Sequence, residues 1–70
     1  MKYYFVNQNQ TQNPGWQHEV HTDECYWGKK VTNKTNLGYF NNGVEAVNAA
    51  KKYYSDADGC KDCCPEAHKG

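Results

Sequence analysis

The cysteines constrain the fold of this chain more than any other feature. Three of the four lie close together near the end of the sequence and one lies far upstream, at Cys25, Cys60, Cys63 and Cys64. A chain of 70 residues buries too little apolar surface to offset its conformational entropy comfortably. Domains of this size therefore commonly add disulfides, a metal ion or a partner.

The spacing of the cysteines favours a metal ion. Cys60 to Cys63 is a C-x-x-C pair, which lets two thiolates turn toward one zinc ion at a Zn–S distance of about 2.3 Å, and Gly59 before it offers a permissive backbone. Upstream, an H-x-x-x-C pair has the separation of a second ligand pair that leaves a strand through one turn. The predicted site is a Cys3His zinc site made of His21, Cys25, Cys60 and Cys63. Four protein ligands leave no open coordination position, which favours a structural zinc.

The sequence also allows the cysteines to form disulfides or to remain as free thiols. Two disulfides would leave a strained local pair, because at most one of the late cysteines can reach Cys25. Met1 to Val6 is too short and too polar-flanked for a secretory h-region, so we expect no export and a compartment in which disulfides are disfavoured. In the remaining alternative, the cysteines are buried thiols that bind no metal. Cys64 could replace Cys63 as a ligand, pack as a small hydrophobe or be a spare thiol, and His68 could reach back to the site from a solvated tail.

Charge and hydropathy exclude several classes of function. Eight lysines balance eight acidic residues and arginine is absent, so the chain lacks the positive field and the guanidinium groups that usually serve nucleic-acid binding. No apolar run approaches the roughly 18 residues of a membrane helix. We therefore expect a soluble, cytoplasmic protein of one domain with no membrane partner.

Three short segments have the composition of strands. They are Lys2 to Val6, His18 to His21, and Asn36 to Phe40. The Asn- and Gln-rich stretch from Asn7 to Gln17 predicts a loop with a turn at Pro14-Gly15.

One helix follows the third strand. Asn42 can cap it, with Glu45 as the reciprocal partner of a capping box, and an apolar stripe recurs at helical spacing through Val44, Val47, Ala50 and Tyr54, with Ala46, Ala49 and Tyr53 beside it. The helix is expected to end near Ser55 to Ala57. The sequence thus predicts an α+β domain over residues 1–70, in which two or three antiparallel strands pack on one helix beside a C-terminal CxxC zinc knuckle.

The motifs between His21 and Pro65 occur in a recognisable order. They are an early His/Cys pair, the strand Leu37 to Phe40, a helix with Glu45-Ala46, and Gly59-Cys60-Lys61-Asp62-Cys63-Cys64-Pro65. This order resembles the zinc-binding N-terminal domain of the Ada DNA-repair protein, which has Cys-x3-Cys, a strand, a helix with Glu-Ala, and Cys-Lys-x-Cys-x-Pro. The chain also resembles a group of small bacterial proteins of unknown function with early His-x-x-x-Cys and late Gly-Cys-x-x-Cys. The resemblance implies that His21, Cys25, Cys60 and Cys63 hold the four ligand positions.

The sequence departs from the Ada pattern at the first ligand. There the Ada domain has the cysteine that accepts a methyl group from DNA, and this chain has His21. An imidazole cannot replace a zinc thiolate in methyl transfer. The resemblance therefore implies a shared fold and metal without the repair chemistry.

We expect a non-enzymatic zinc-binding module that presents a surface to another macromolecule, a protein more than a nucleic acid. One alternative is Ada-like nucleic-acid binding, with backbone contacts from Lys29, Lys30, Lys34, Lys51 and Lys52. A second alternative is a cysteine-based redox protein that uses Cys64 or the pair Cys60 and Cys63.

Overall fold

A computed structural model describes residues 1–12 and 16–68 of the chain. The strands are β1 (Lys2–Asn7), β2 (Thr11–Gln12), β3 (Trp16–Thr22), β4 (Lys34–Phe40) and β5 (Ala57–Gly59). One α-helix, α1 (Gly43–Ala50), is found in this part of the chain, together with 3₁₀ turns at Gly28–Lys30 and Pro65–Ala67. The predicted turn at Pro14-Gly15 lies outside the described residues. None of the described helices is long and apolar enough to cross a membrane.

Within the described residues, four strands form a mixed sheet beside the helix. β1 lies between β3 and β4 and is antiparallel to both, and β5 pairs with β3 in parallel. β2 adds an antiparallel pairing with the first two residues of β3. The α+β class is confirmed, whereas the prediction of two or three purely antiparallel strands is wrong.

The unpredicted strand is β5, which follows the helix. The sequence Asp56 to Gly59 has the composition of a turn, and a three-residue strand is too short to show an alternating pattern. All three residues of β5 are nevertheless buried, and the Cys60 amide donates to the Val20 carbonyl at 3.0 Å. Pairing with a neighbouring strand, rather than local propensity, therefore determines this element.

Alternation along the strands separates two faces of the sheet. Tyr4, Val6 and Val20 belong to the apolar core, which α1 supplies with Ala46, Val47 and Ala50. Phe5 and His21 lie on the other face, with ring centroids 5.8 Å apart, under the 3₁₀ turn at Gly28–Lys30. A Cβ on Gly28 would lie 3.0 Å from both the Phe5 ring and the His21 Cβ, so this turn packs directly on them.

The helix begins as predicted and ends early. The Asn42 side chain accepts a hydrogen bond from the Glu45 amide at 3.0 Å, whereas the Glu45 carboxylate accepts from the Asn41 amide at 3.4 Å. After Ala50 the hydrogen bonds tighten, with the Lys52 amide donating to the Ala49 carbonyl. The predicted end near Ser55 to Ala57 is thus wrong by more than one turn.

The buried face of the helix also differs from the predicted stripe. Val44 is 44% exposed, whereas Ala46 is completely buried. Tyr54 packs against the core from beyond the helix, and its ring stacks on the His18 ring at 3.9 Å between centroids. The early end of α1 allows this stacking, because the chain then turns back toward β3.

Gly59 has a different role from the one predicted. Among the described residues, Gly38 is the glycine with a positive φ, so Gly59 is not required for a left-handed backbone. A Cβ at Gly59 would lie 2.7 Å from the Cys64 carbonyl oxygen and 2.9 Å from the Ala67 Cβ. Close packing of the C-terminal segment on β5 is the reason for glycine here.

Replacing Gly59 by Ala should lower the free energy of unfolding by about 1–3 kcal/mol, the usual cost of an additional methyl group in a packed interior. Urea unfolding of the two proteins measures this difference. Gly43→Ala is the comparison. Its Cβ would meet the Glu66 carboxylate at 2.7 Å, which can move at the cost of its hydrogen bond with the Gly43 amide, and the Cys64 Cβ at 3.1 Å, whereas the Cβ at Gly59 would meet a backbone oxygen that cannot move. Equal losses in the two variants would contradict the packing role of Gly59.

Candidate metal centre

Two distant segments bring one histidine and three cysteines together at the edge of the sheet. His21 lies at the end of β3 and Cys25 in the turn that follows, while Cys60 comes directly after β5 and Cys63 one turn later. Their potential ligand atoms all lie within 4.8 Å of one another. The predicted group of four residues is therefore assembled by the fold, and it could hold a metal ion.

The distances inside the group are close to those of a tetrahedral site. The Cys25 and Cys60 sulfurs are 4.0 Å apart, and the Cys63 sulfur is 3.8 Å from His21 Nδ1. With Zn–S bonds of about 2.3 Å, the sulfur–sulfur edge of a tetrahedron is about 3.8 Å. All four cysteines are free thiols, and a disulfide would need sulfurs about 2.05 Å apart.

Backbone hydrogen bonds fix the two half-sites. In the first, the Cys25 amide donates to the Thr22 carbonyl at 3.2 Å, and the Cys25 carbonyl accepts from the Lys29 amide at 3.0 Å. In the second, the Cys64 amide donates to the Cys60 carbonyl at 2.7 Å, which closes the turn that holds Cys63. Each half-site is thus a hydrogen-bonded turn at the end of a strand.

The group is largely shielded from water. His21, Cys25 and Cys60 are 1%, 5% and 3% exposed, and Cys63 is half-buried. Burying polar groups in this way is costly unless they are paired or bind a metal. A bound cation would meet that requirement for all four side chains.

The electrostatic environment holds protons on the group when no metal is bound. Burial lowers the pKa of His21, but hydrogen bonds with Cys60, Glu19 and Cys25 favour the imidazolium, and the pKa rises to about 10. The hydrogen bond with Cys63, followed by burial, raises the pKa of Cys60 to about 12.

Cys63 has a similarly high affinity for its proton. The hydrogen bond with Cys60 lowers its pKa, but the hydrogen bond with Cys64 and burial outweigh that effect, and the pKa is about 12. His21, Cys60 and Cys63 are therefore protonated at neutral pH without a metal. A metal ion has to displace these protons before it can bind.

Glu19 is a residue beside the candidate site that the spacing analysis missed. Its carboxylate oxygen lies 3.4 Å from His21 Nε2, while Nδ1 of the same ring faces the Cys63 sulfur. Histidines that bind metals usually donate their second N–H to a carboxylate, which fixes the orientation of the ring. The signal in the sequence was the i, i+2 spacing of Glu19 and His21, since alternate residues of a strand share a face.

The other residues considered for the site lie elsewhere. Cys64 is completely buried in the apolar core, with its sulfur 3.9 Å from that of Cys63. His68 Nδ1 lies 3.1 Å from the Gly59 carbonyl oxygen. His68 therefore holds the C-terminal segment against β5, whereas a solvated tail was expected. His18 Nδ1 lies 2.5 Å from an Asp56 carboxylate oxygen, in a contact separate from the four-residue group.

Comparisons with known proteins found no matching family model, curated protein or solved structure.

Zinc affinity should rise steeply with pH. Because His21, Cys60 and Cys63 have pKa values of about 10, 12 and 12 without metal, each must release a proton. The logarithm of the apparent affinity should therefore increase by at least about three per pH unit between about pH 6 and pH 9. Competition with a chelator of known pH dependence measures this slope.

A slope that falls to about one near pH 9, as ligands with ordinary pKa values of about 6.5 and 8.5 would give, would contradict the raised pKa values of the metal-free site. The free energy of unfolding of the metal-free protein should fall, not rise, as the pH increases. A histidine whose pKa rises on folding stabilises the fold fully below its unfolded pKa of 6.5, and this contribution is lost as the pH rises through about 10.

Glu19→Gln should weaken zinc binding by about tenfold, because it removes the negative charge that orients and polarises the His21 ring. The stoichiometry should stay the same, since none of the four candidate ligands changes. Chelator competition measures the affinity. Glu45→Gln makes the same change of charge at the exposed start of α1, and a loss of affinity as large as that of Glu19→Gln would exclude a specific role for Glu19.

Proposed function

We propose that this protein is a non-enzymatic zinc-binding module whose ion stabilises the fold and whose surface binds another macromolecule. One observation carries the proposal: His21, Cys25, Cys60 and Cys63 place their ligand atoms within 4.8 Å of one another in a largely buried group. The group joins segments that are far apart in sequence, since Cys25 and Cys60 are 35 positions apart.

The chemistry of the donors favours zinc. Three thiolates and one imidazole are a common ligand set of structural zinc sites, which are almost always four-coordinate and tetrahedral. Hard cations such as magnesium and calcium prefer oxygen ligands. With four protein ligands, no position would remain for a substrate or a reactive water, which supports a structural role.

Backbone hydrogen bonds to the Cys60 sulfur support a zinc knuckle in the turn from Cys60 to Cys63. The Cys63 thiol and burial raise the pKa of Cys60, while the amides of Cys63 and Asp62 donate hydrogen bonds to its sulfur and act in the opposite direction. Amide hydrogens directed at a sulfur stabilise its thiolate form. We assign this turn as the second half of the zinc site.

A zinc ion would also add to the free energy of unfolding, to which the small apolar core contributes little. The helix contributes small side chains to the core, namely Ala46, Val47 and Ala50, and burying a larger apolar side chain such as valine gains only about 1.5–3 kcal/mol. Structural zinc can contribute about 10–16 kcal/mol of apparent binding free energy in small domains. The thiol ligands require a reducing compartment, in agreement with a location in the cytoplasm.

The resemblance to the Ada domain enters this proposal only through the metal and its surroundings. By this resemblance His21 would take the position of the methyl-accepting cysteine, and in the structure it lies 1% exposed against Phe5 and Glu19. A neutral imidazole in this place can hold zinc but cannot accept a methyl group as a thiolate does. We therefore propose an Ada-like metal site without repair activity.

Metal analysis of protein purified without added metal tests the proposal. We expect about one equivalent of zinc, and cobalt substitution should give the visible spectrum of a tetrahedral ion with thiolate ligands. Less than about half an equivalent of zinc, with no uptake of cobalt, would contradict a structural site.

Single substitutions identify the ligands. Cys60→Ser and Cys63→Ser should abolish stoichiometric zinc binding and unfold the domain, because a structural site and the fold are coupled. Cys64→Ala is the control, since it removes the thiol while keeping this core position apolar, and it should leave the zinc content unchanged. His18→Ala and His68→Ala should also retain zinc, with some loss of stability from their contacts with Asp56 and Gly59. Zinc loss in a folded Cys64→Ala protein equal to that in Cys63→Ser would overturn the ligand assignment.

A further inference from the structure

An open groove of about 790 Å³ lies beside the candidate metal centre. It runs between the start of β1, the turn after β3 and the start of α1, and Cys25 and Cys63 form part of its wall. Its volume is within the range of about 300–1,000 Å³ that ligand sites occupy. The groove and the metal centre therefore share two residues, of which Cys63 is the more exposed.

Carboxylates outnumber cationic groups in the lining of the groove. Glu24, Asp62 and Glu66 line it, against the ammonium groups of Lys2 and of the Met1 N-terminus. All three carboxylate side chains are exposed, and that of Glu66 accepts a hydrogen bond from the Gly43 amide at 2.7 Å. A zinc ion with three thiolates and a neutral imidazole would add a net charge of −1, the sum of +2 and −3. A cation would thus be favoured in the groove over an anion.

Two aromatic rings at the groove already bind an ammonium group. Tyr26 and Trp27 line the groove and are 66% and 51% exposed. The Lys30 ammonium of the same chain lies 4.8 Å from the Tyr26 centroid and 5.4 Å from the Trp27 centroid. These distances are within the range of about 6 Å for cation–π attraction. The ring pair is thus placed to attract a cation, and a cationic side chain of a partner would replace Lys30 there.

We propose that this groove binds a lysine- or arginine-bearing segment of a partner protein. The carboxylates of Glu24 and Asp62 pair with its cationic side chains, and the rings of Tyr26 and Trp27 pack against their apolar stems and charged ends. The inference rests on the proposed function, because the metal ion fixes Cys25 and Cys63 in the wall. A nucleic acid fits this groove poorly, since its phosphates would face the carboxylates.

The test uses the zinc-loaded full chain, with the zinc content measured on the same sample. The probe is the capped peptide acetyl-Gly-Lys-Gly-Arg-Gly-amide, and its acidic counterpart acetyl-Gly-Glu-Gly-Asp-Gly-amide is the control. Titration followed by amide chemical shifts in NMR should show shifts confined to the groove for the basic peptide only. The dissociation constant should increase with salt, because the attraction is between exposed charges.

Variants locate the interaction. The double variant Glu24→Gln, Asp62→Asn should weaken binding of the basic peptide by about fivefold or more, the effect of two exposed ion pairs, and should reduce the salt dependence. Trp27→Leu should weaken it as well through loss of the cation–π contact. Asp23→Asn is the matched control, because Asp23 is exposed next to Glu24 and is outside the lining of the groove. Its affinity should stay within about twofold of that of the unsubstituted protein.

Several results would overturn the inference. They are equal binding of the acidic peptide, an equal effect of Asp23→Asn, shifts outside the groove, and absence of binding by a zinc-loaded sample. Shifts at the groove produced by an oligothymidine probe would instead establish a nucleic-acid site. A sample that takes up no zinc contradicts the proposed function, whereas a zinc-loaded sample without peptide binding contradicts only this inference.

Discussion

The convergence of one imidazole and three sulfurs is the constraint that joins the two distant parts of this chain. It links the end of β3 to the turn after β5, and His21 and Cys63 are 42 residues apart in the sequence. On one side of this link β3 is a strand of seven residues, but on the other side β5 has three residues and the helical turn at Pro65–Ala67 is 3₁₀. Short elements of this kind gain few hydrogen bonds of their own, and a buried ion of the kind proposed would hold them in place.

The pleat of β3 separates the apolar core from the metal centre. Val20 points into the core and is completely buried there, while its neighbours Glu19 and His21 share the other face, where the imidazole meets the cysteines. A shift of one residue in the pairing of β3 would exchange these faces, because side chains alternate along a strand. The antiparallel pairing of Val6 with Val20 and the parallel pairing of Gly59 with Val20 hold this register from both sides.

The sequence predicted the four-residue group well because the group depends on spacing along the chain. The pairs His21/Cys25 and Cys60/Cys63 each form a local turn, which spacing can reveal. It did not predict β5, the early end of α1 or the role of Gly59, since these follow from contacts between distant segments: β5 with β3, Tyr54 with the His18 ring, and Gly59 with the backbone of Cys64. Glu19 could be predicted in part. The sequence shows that Glu19 and His21 would share a face of a strand, but the contact between the carboxylate and the ring is seen only in the folded structure.

The position of Cys63 connects the metal centre with the groove. Three of the four grouped residues are at most 5% exposed, so solvent, oxidants and chelators can reach the centre mainly along Cys63, the half-buried residue that lines the groove. A segment bound in the groove would cover this sulfur. By linkage, a ligand that binds the metal-loaded form more tightly than the metal-free form must strengthen metal binding by the same factor. The zinc site and the groove would then act as one unit, in which the ion shapes the surface and the bound segment protects the ion.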